Sequence, residues 1–436
     1  MQQQQRNTSI VWFRNDLRAQ DNNVLKSALA SSDRVIGVYF LDPKSFKTTK
    51  YGFKKMERYR AKFLLETLQC LQEELRKLNI SFLVFIASAE SKMKNLIESY
   101  KVQSIFLQKE WTQEEQSDLE QLKKGLPKEV KVQELYDQFL FHPSDVPFDC
   151  SKTPKVFTQF RKQLEKKSSV RPVSKIQAQD NSATLEHVPK IPTLEDLGFE
   201  DFETDSRTVF PFQGGAKSAA QRLEHYFFES KALGVYKKTR NGLLGLNYSS
   251  KFSPWLANGS LSARQIYWKV KAFEEEYFSN QSTYWLIFEL IWRDFFKYVS
   301  LKHGNAIFKI DGILNNHYDW SDHQKFIQQW IDGNTADDFV NANMIELKNT
   351  GWMSNRGRQN VASYFAKTQK LDWRIGAAYF ESMLLDYDVH SNYGNWMYVA
   401  GVGNDPRDRV FNVQLQAQRY DANNKYRDQW LQTKLF

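Results

Sequence analysis

Glu289, Trp292 and Arg293 stand at i, i+3 and i+4 in the run Ser282-Thr-Tyr-Trp-Leu-Ile-Phe-Glu-Leu-Ile-Trp-Arg-Asp-Phe-Phe. On a helix that spacing gathers them on one face. A Glu–Arg surface pair is the plain reading. A carboxylate among Trp and Phe is costly to bury unless it is paired or used, and a Glu in an aromatic cavity can offer hydrogen bonds to a base. The stripe Trp285, Phe288, Trp292, Phe295 and Val299 taken alone reads as core. A second run, Tyr248-Ser-Ser-Lys-Phe-Ser-Pro-Trp, sets the hydroxyls of Ser249, Ser250 and Ser253 just before Pro254. Pro marks a helix start, where N–H groups and hydroxyls suit a phosphate or pyrophosphate. Alone, this stretch reads as helix capping before phosphate binding, and Ser262 with Gln265 is a capping box.

Two further runs carry clustered polar residues: Thr350-Gly-Trp-Met-Ser-Asn-Arg-Gly-Arg-Gln and Leu385-Asp-Tyr-Asp-Val-His-Ser-Asn-Tyr-Gly-Asn-Trp-Met-Tyr. Arg358 of the first is a candidate partner for Asp386 of the second. Other chemistries find no support. Gly214-Gly215-Ala216-Lys217-Ser218 lacks the order of a phosphate loop. Gly401-Val402-Gly403 is followed by Pro406 where a dinucleotide fingerprint needs glycine. No His-Glu-x-x-His helix or Gly-x-Ser-x-Gly elbow occurs, and His317 and His323 read as isolated surface histidines.

The chain of 436 residues carries a net charge of +9, which favours a polyanionic partner, nucleic acid first. Its 12 Trp, 20 Tyr and 32 Phe suit a large core and also a planar cofactor. Two cysteines, Cys70 and Cys150, make neither a four-thiolate cluster nor a disulfide framework. No run approaches the ~18 apolar residues of a membrane span, and the start reaches a strand-like run too soon for a leader peptide. A cytoplasmic protein without metal or membrane contact is expected.

Three regions must position these residues. Residues 6–141 alternate strand candidates (Ser9–Phe13, Val35–Leu41, Ser81–Ile86, Ser104–Gln108, Val130–Leu135) with amphipathic stretches (Asn22–Ala30, Met56–Leu78, Ser91–Tyr100, Gln113–Lys124). That order predicts an α/β domain, a parallel sheet flanked by helices, with ligands at the C-terminal strand ends. Residues 142–205 hold six prolines and read as a long inter-domain linker wrapping the surface. Residues 206–436 read as an all-α domain.

Taken together, the four runs and Val11-Trp-Phe-Arg-Asn-Asp-Leu-Arg resemble the photolyase/cryptochrome family over essentially the whole chain. Thr239-Arg-Asn-Gly-Leu-Leu-Gly, the Tyr248 run and Ser391-Asn-Tyr-Gly-Asn-Trp are similar to its DASH branch in particular. The resemblance implies FAD in the helical domain. Tyr236, Ser249, Ser250 and Ser253 match residues holding its phosphates and ribityl chain. Arg293, Arg358, Asp386 and Asp388 match the polar lining of the flavin, and Asn392 the position facing flavin N5. Glu289 and Asn355 match groups that hydrogen-bond damaged pyrimidines, and Trp292 an aromatic that stacks on them. Trp396, Trp373 and Trp320 match an inward electron relay. Glu110 resembles an antenna-site glutamate, with methenyltetrahydrofolate the expected antenna.

The implied activity is that of a deoxyribodipyrimidine photo-lyase, a carbon–carbon lyase acting by electron transfer from reduced flavin. The alternative is a blue-light photoreceptor that binds DNA with little repair. Tyr398 stands where double-strand photolyases commonly have a second substrate Trp, which favours single-stranded DNA. Asn355 and Gln359 stand where (6-4) photolyases carry histidines, which argues against (6-4) repair. The two cysteines argue against the iron–sulfur branch. The chain ends soon after the shared motifs, so no long signalling tail is expected; a monomer is a separate expectation.

Overall fold

The computed structural model describes residues 7–178, 184–405 and 407–432. Arg6, where the first expected domain begins, Pro406, and residues 433–436 at the expected end of the last lie outside them. Five parallel strands, β1 (Thr8–Trp12), β2 (Arg34–Phe40), β3 (Ser81–Phe85), β4 (Val102–Gln108) and β5 (Lys131–Leu135), form one sheet in the order β3-β2-β1-β4-β5. Strand alternation splits their apolar residues between two cores. Ile10 and Trp12 pack with Met93, Leu96 and Leu119 from the helices Ala89–Tyr100 and Gln113–Gly125. Val11 and Phe13 pack with Leu25, Leu64 and Leu68 from Asn23–Ser31 and Arg58–Lys77. Chain direction across the sheet reverses between β1 and β4, and a crevice opens at their carboxyl ends, as such sheets require.

The 142–205 segment departs from the expected surface wrap. It contains the helix Phe157–Lys167, which buries Phe157, Phe160 and Leu164 in the core of the helical half. These apolar residues at i, i+3 and i+7 form a narrow helical stripe, obscured in the sequence by the surrounding prolines. The remainder does tie down the α/β half: Ser174 and Ile176 bond Asp21 and Gln20.

The helical half is organised on the helix Gln281–His303, whose Asn280 cap forms a reciprocal capping box with Thr283. The expected Ser262–Gln265 box is present on Ala263–Glu276. Arg264 of that helix reaches into the α/β half, 2.8 Å from Asp137 and 3.1 Å from Asp21, while Arg18 meets Asp137 at 2.6 Å. Gly259 makes the close approach possible. It has φ +76°, and a Cβ there would lie 2.0 Å from the Asn15 carbonyl oxygen.

The helix Lys425–Leu431 docks on Asp338–Thr350 through the Tyr426 hydroxyl, 2.6 Å from buried Glu346. Burial pushes the Glu346 carboxyl up to about 7, against the Tyr426 hydrogen bond and nearby Lys251. A raised acid favours folding when protonated. Its contribution is fully present below the unfolded value of about 4.5 and is lost as pH rises through about 7. Glu346→Gln is expected to be more stable than the parent by ~2 kcal/mol at about pH 8 and to lose that advantage by about pH 4. Urea midpoints for both proteins at the two pH values check this.

Candidate active site

Glu289 and Arg293 share a helix face, as their spacing implies, but do not pair with each other. Arg293 donates instead to the backbone oxygens of Gln138 (2.8 Å) and Leu256 (3.0 Å), joining the two halves. Glu289 pairs with Arg240 at 2.9 Å. Arg240 follows the short helix Tyr236–Thr239, and its guanidinium also meets the hydroxyl of buried Tyr236. Burial pushes the Glu289 carboxyl above the ordinary glutamate range, and Arg240 pulls the other way. Sequence reading missed Arg240 because its partner lies 49 residues away, although the Thr-Arg-Asn motif contained it.

Trp292 stands one turn along from Glu289. Phe157 covers one of its faces at 3.7 Å with 10° between the planes, and Tyr398 meets it edge-on at 6.2 Å. The supposed linker therefore supplies part of the site wall. Exposed Asn355 opens the helix Asn355–Ser363. Its neighbour Arg356 bonds Asn241 at 2.9 Å and Gln359 at 2.8 Å. Through Asn241 and Arg240, the Asn355 turn is brought to the Glu289 side of the same rim.

Deeper in the helical half, Arg358 pairs with Asp386 at 3.0 Å, as anticipated. Asp386 Oδ1 is buried and accepts no hydrogen bond from any described residue. Asp388 caps the helix Val389–Ala400 through the Ser391 N–H and pairs with Lys297 at 3.0 Å. Burial pushes Asp388 up, but Lys297 and its neighbours hold it below the usual carboxylate range. Buried Asn392 donates through Nδ2 to the Ala377 oxygen at 3.0 Å. Ser249, Ser250 and Ser253 lie on the turn into the helix Ser253–Asn258. Arg222, a buried residue with no motif to mark it, donates to the Ser249 and Ser250 carbonyl oxygens at 3.0 and 3.1 Å and holds that turn in place.

A cavity of about 400 Å³ runs from the carboxyl ends of β1 and β4 into the helical half. Arg14, Gln108 and Glu110 line it on one side, and Arg293, Lys297 and Asp388 on the other. Gln108 donates to Glu110 at 2.7 Å, and burial pushes the Glu110 carboxyl up to about 7.

Trp396 is buried against the helix Trp373–Met383, where a Cβ on Gly376 would lie 2.3 Å from its ring. Trp373 begins that helix and donates to the Ile310 oxygen at 2.9 Å. The backbone after Trp320 is tied to that before Trp373 by Ser321, which bonds both sides of Leu371. A fourth indole, Trp330, lies 6.3 Å from Trp396 and carries no motif that singles it out.

Two family models match the chain: DNA photolyase over residues 9–180 and the FAD binding domain of DNA photolyase over residues 285–434. Cryptochrome DASH of Danio rerio is 44% identical over 431 residues, covering 97% of this chain and 83% of the relative. Cryptochrome DASH, chloroplastic/mitochondrial, of Arabidopsis thaliana is 44% identical over 431 residues, covering 97% and 75%. The crystal structure of a Synechocystis cryptochrome is similar with a TM-score of 0.91 at 44% identity, covering 98% of this chain and 88% of that one. An archaeal photolyase from Sulfolobus tokodaii, crystallised with two FAD molecules, gives 0.80 at 27% identity, covering 98% and 90%.

Proposed function

This chain belongs to the photolyase/cryptochrome family, aligned along nearly its whole length with cryptochrome DASH proteins, and from that premise we propose that it repairs cyclobutane pyrimidine dimers under blue light, preferentially in single-stranded DNA. The observation that carries the reading is the rim on which Glu289, held by Arg240, and Trp292 share one helix face with Asn355 brought to their side. A photoreceptor has no need of such a rim.

The FAD-binding domain fits its cofactor. Asp386 Oδ1, buried without a donor, suits the imide N–H of a flavin ring, and Tyr236 with Ser249, Ser250 and Ser253 offers hydroxyls for the phosphates. Arg293, Arg358, Asp388 and Asn392 complete the polar lining. Held by these residues, reduced FAD would supply the light-driven one-electron chemistry that opens a cyclobutane ring. The chain's part is to hold the lesion and its developing charge. Glu289 and Asn355 offer donors to the pyrimidine carbonyls, which gain negative charge, and preplaced donors act best where water is excluded. Docking strips further water from Glu289 and favours its protonated, donating form. Trp292 offers its ring to the flipped bases.

Flipping from a duplex costs a few kcal/mol of unpairing that a single strand avoids. Tyr398 in place of a second indole offers less stacking to repay that cost. For the interdomain cavity, Glu110 with Gln108 supports a folate antenna, methenyltetrahydrofolate, whose amino-pterin head presents donors to a carboxyl. A monomeric, cytoplasmic protein accompanies this reading.

Photoreduced protein under blue light with a thymine-dimer oligonucleotide, single-stranded and duplex in parallel, tests the proposal by chromatographic loss of dimer. Repair of the single strand alone is expected. Equal repair removes the strand preference, and no repair by reduced, FAD-loaded protein leaves the photoreceptor. Glu289→Ala, which removes the donor, is expected to slow repair about tenfold to a hundredfold, the loss of one charge-assisted hydrogen bond of ~1.5–3 kcal/mol. Unchanged initial rates at equal photon flux would exclude Glu289 from lesion binding.

A further inference from the structure

The three indoles assigned to the relay share a chemical limitation. An oxidised indole settles by giving up its N–H proton, and none of the three has a carboxylate to receive it. Trp396 Nε1 and Trp320 Nε1 are buried and have no hydrogen-bond partner among the described residues, and Trp373 Nε1 faces only a backbone oxygen. A hole arriving at Trp320 therefore stays on a radical cation that remains strongly oxidising.

Tyr318 lies beside Trp320, with ring centroids 5.3 Å apart and 49° between the planes. Its hydroxyl donates to Asp408 Oδ2 at 3.0 Å, the shorter of its two contacts, the other being the Gly401 oxygen at 3.4 Å. Asp408 is ion-paired with Lys367. The Lys367 ammonium also stands 4.6 Å above the Tyr318 ring, where it disfavours a second positive charge. Oxidation of this phenol is thereby tied to loss of its proton, and the acceptor is already in contact.

We propose that Tyr318 is the terminal electron donor of the tryptophan relay and that Asp408 receives its phenolic proton. The inference rests on the relay reading of Trp396, Trp373 and Trp320. One electron passes from Tyr318 to the Trp320 radical cation, which returns to a neutral closed-shell indole. The Tyr318 O–H bond breaks and an O–H bond forms on Asp408 Oδ2, leaving a neutral phenoxyl radical and a carboxylic acid. Tyr318 is exposed, so an external reductant can restore it. The charge separated by light is held at the surface instead of recombining through the indoles.

Flash transient absorption on the full-length, FAD-loaded protein tests this, with electron paramagnetic resonance on ring-deuterated tyrosine protein to identify the phenoxyl. Wild type is expected to convert a tryptophan radical into a phenoxyl radical, more slowly in heavy water. Tyr318→Phe keeps the ring and should lose the phenoxyl, leaving the tryptophan radical to recombine. Asp408→Asn keeps the phenol and should slow the conversion about a hundredfold, the low end for removal of a positioned proton acceptor. A tryptophan radical that decays identically in wild type and Tyr318→Phe overturns the proposal, and so does a phenoxyl that survives Tyr318→Phe. An unchanged rate in Asp408→Asn overturns the role of Asp408. If wild type forms no tryptophan radical and Trp320→Phe photoreduces normally, the relay reading itself fails and Tyr318 falls with it.

Discussion

Arg264→Met is expected to destabilise the protein by about 3–5 kcal/mol, the cost of leaving buried charge without its partner. Arg264, Arg18, Asp21 and Asp137 are each at most 2% exposed. The guanidinium of Arg264 reaches both carboxylates and also donates to the backbone oxygens of Asp21 and Asp137. Met fills similar volume but leaves two buried carboxylates with Arg18 as their one remaining cationic partner. Arg264→Lys keeps the charge and loses the planar fork, so an intermediate loss is expected. Urea denaturation of the three proteins measures the difference. A loss below about 1 kcal/mol would mean that apolar packing, with the ions near neutral in net effect, holds the halves together. The quartet matters to function because the Arg293–Gln138 bond crosses the same interface. A loosened interface would let the cavity and the flavin side chains shift together.

This quartet also marks where the sequence stops being legible. Its four charges are scattered over more than two hundred residues, and nothing local separates them from solvated surface charges. The sheet was legible because each strand is a short apolar run between amphipathic stretches, and local pattern decides such elements. The helix Phe157–Lys167 was not, because its apolar stripe is only three residues among prolines and lysines. Arg358 with Asp386 was legible as a pairing of two clustered polar runs, whereas Glu289 and Arg293 were legible only as neighbours on one helix face. Two backbone oxygens from distant segments captured Arg293 and left Glu289 to Arg240. Helical spacing identifies which residues share a face, and long-range partners decide which of them pair.

Trp396→Phe is expected to reduce photoreduction of bound FAD to near background while leaving repair by chemically reduced protein intact. Trp396 lies one turn after Asn392 on the same helix and is 2% exposed. Its ring is set by the absence of a side chain at Gly376 and is edged by Phe380 at 5.1 Å and Phe365 at 5.9 Å. Phenyl rings are far harder to oxidise than indole, so Phe at 396 fills most of the volume and removes the donor that the relay reading requires. Trp330→Phe is the informative control. Trp330 contacts Trp396 at 6.3 Å but donates to the Val361 oxygen and packs among Phe365, Tyr379 and Phe380. Its replacement should leave photoreduction near the parental rate. If Trp330→Phe stops photoreduction and Trp373→Phe does not, the electron path branches at Trp396 toward Trp330, and Tyr318 loses its route to the flavin. Gly376→Ala supplies an independent test of position. Its Cβ must displace the Trp396 ring, an overpacking cost of ~1–3 kcal/mol, and slowed photoreduction in a folded, FAD-loaded variant would show that placement of this indole sets the rate.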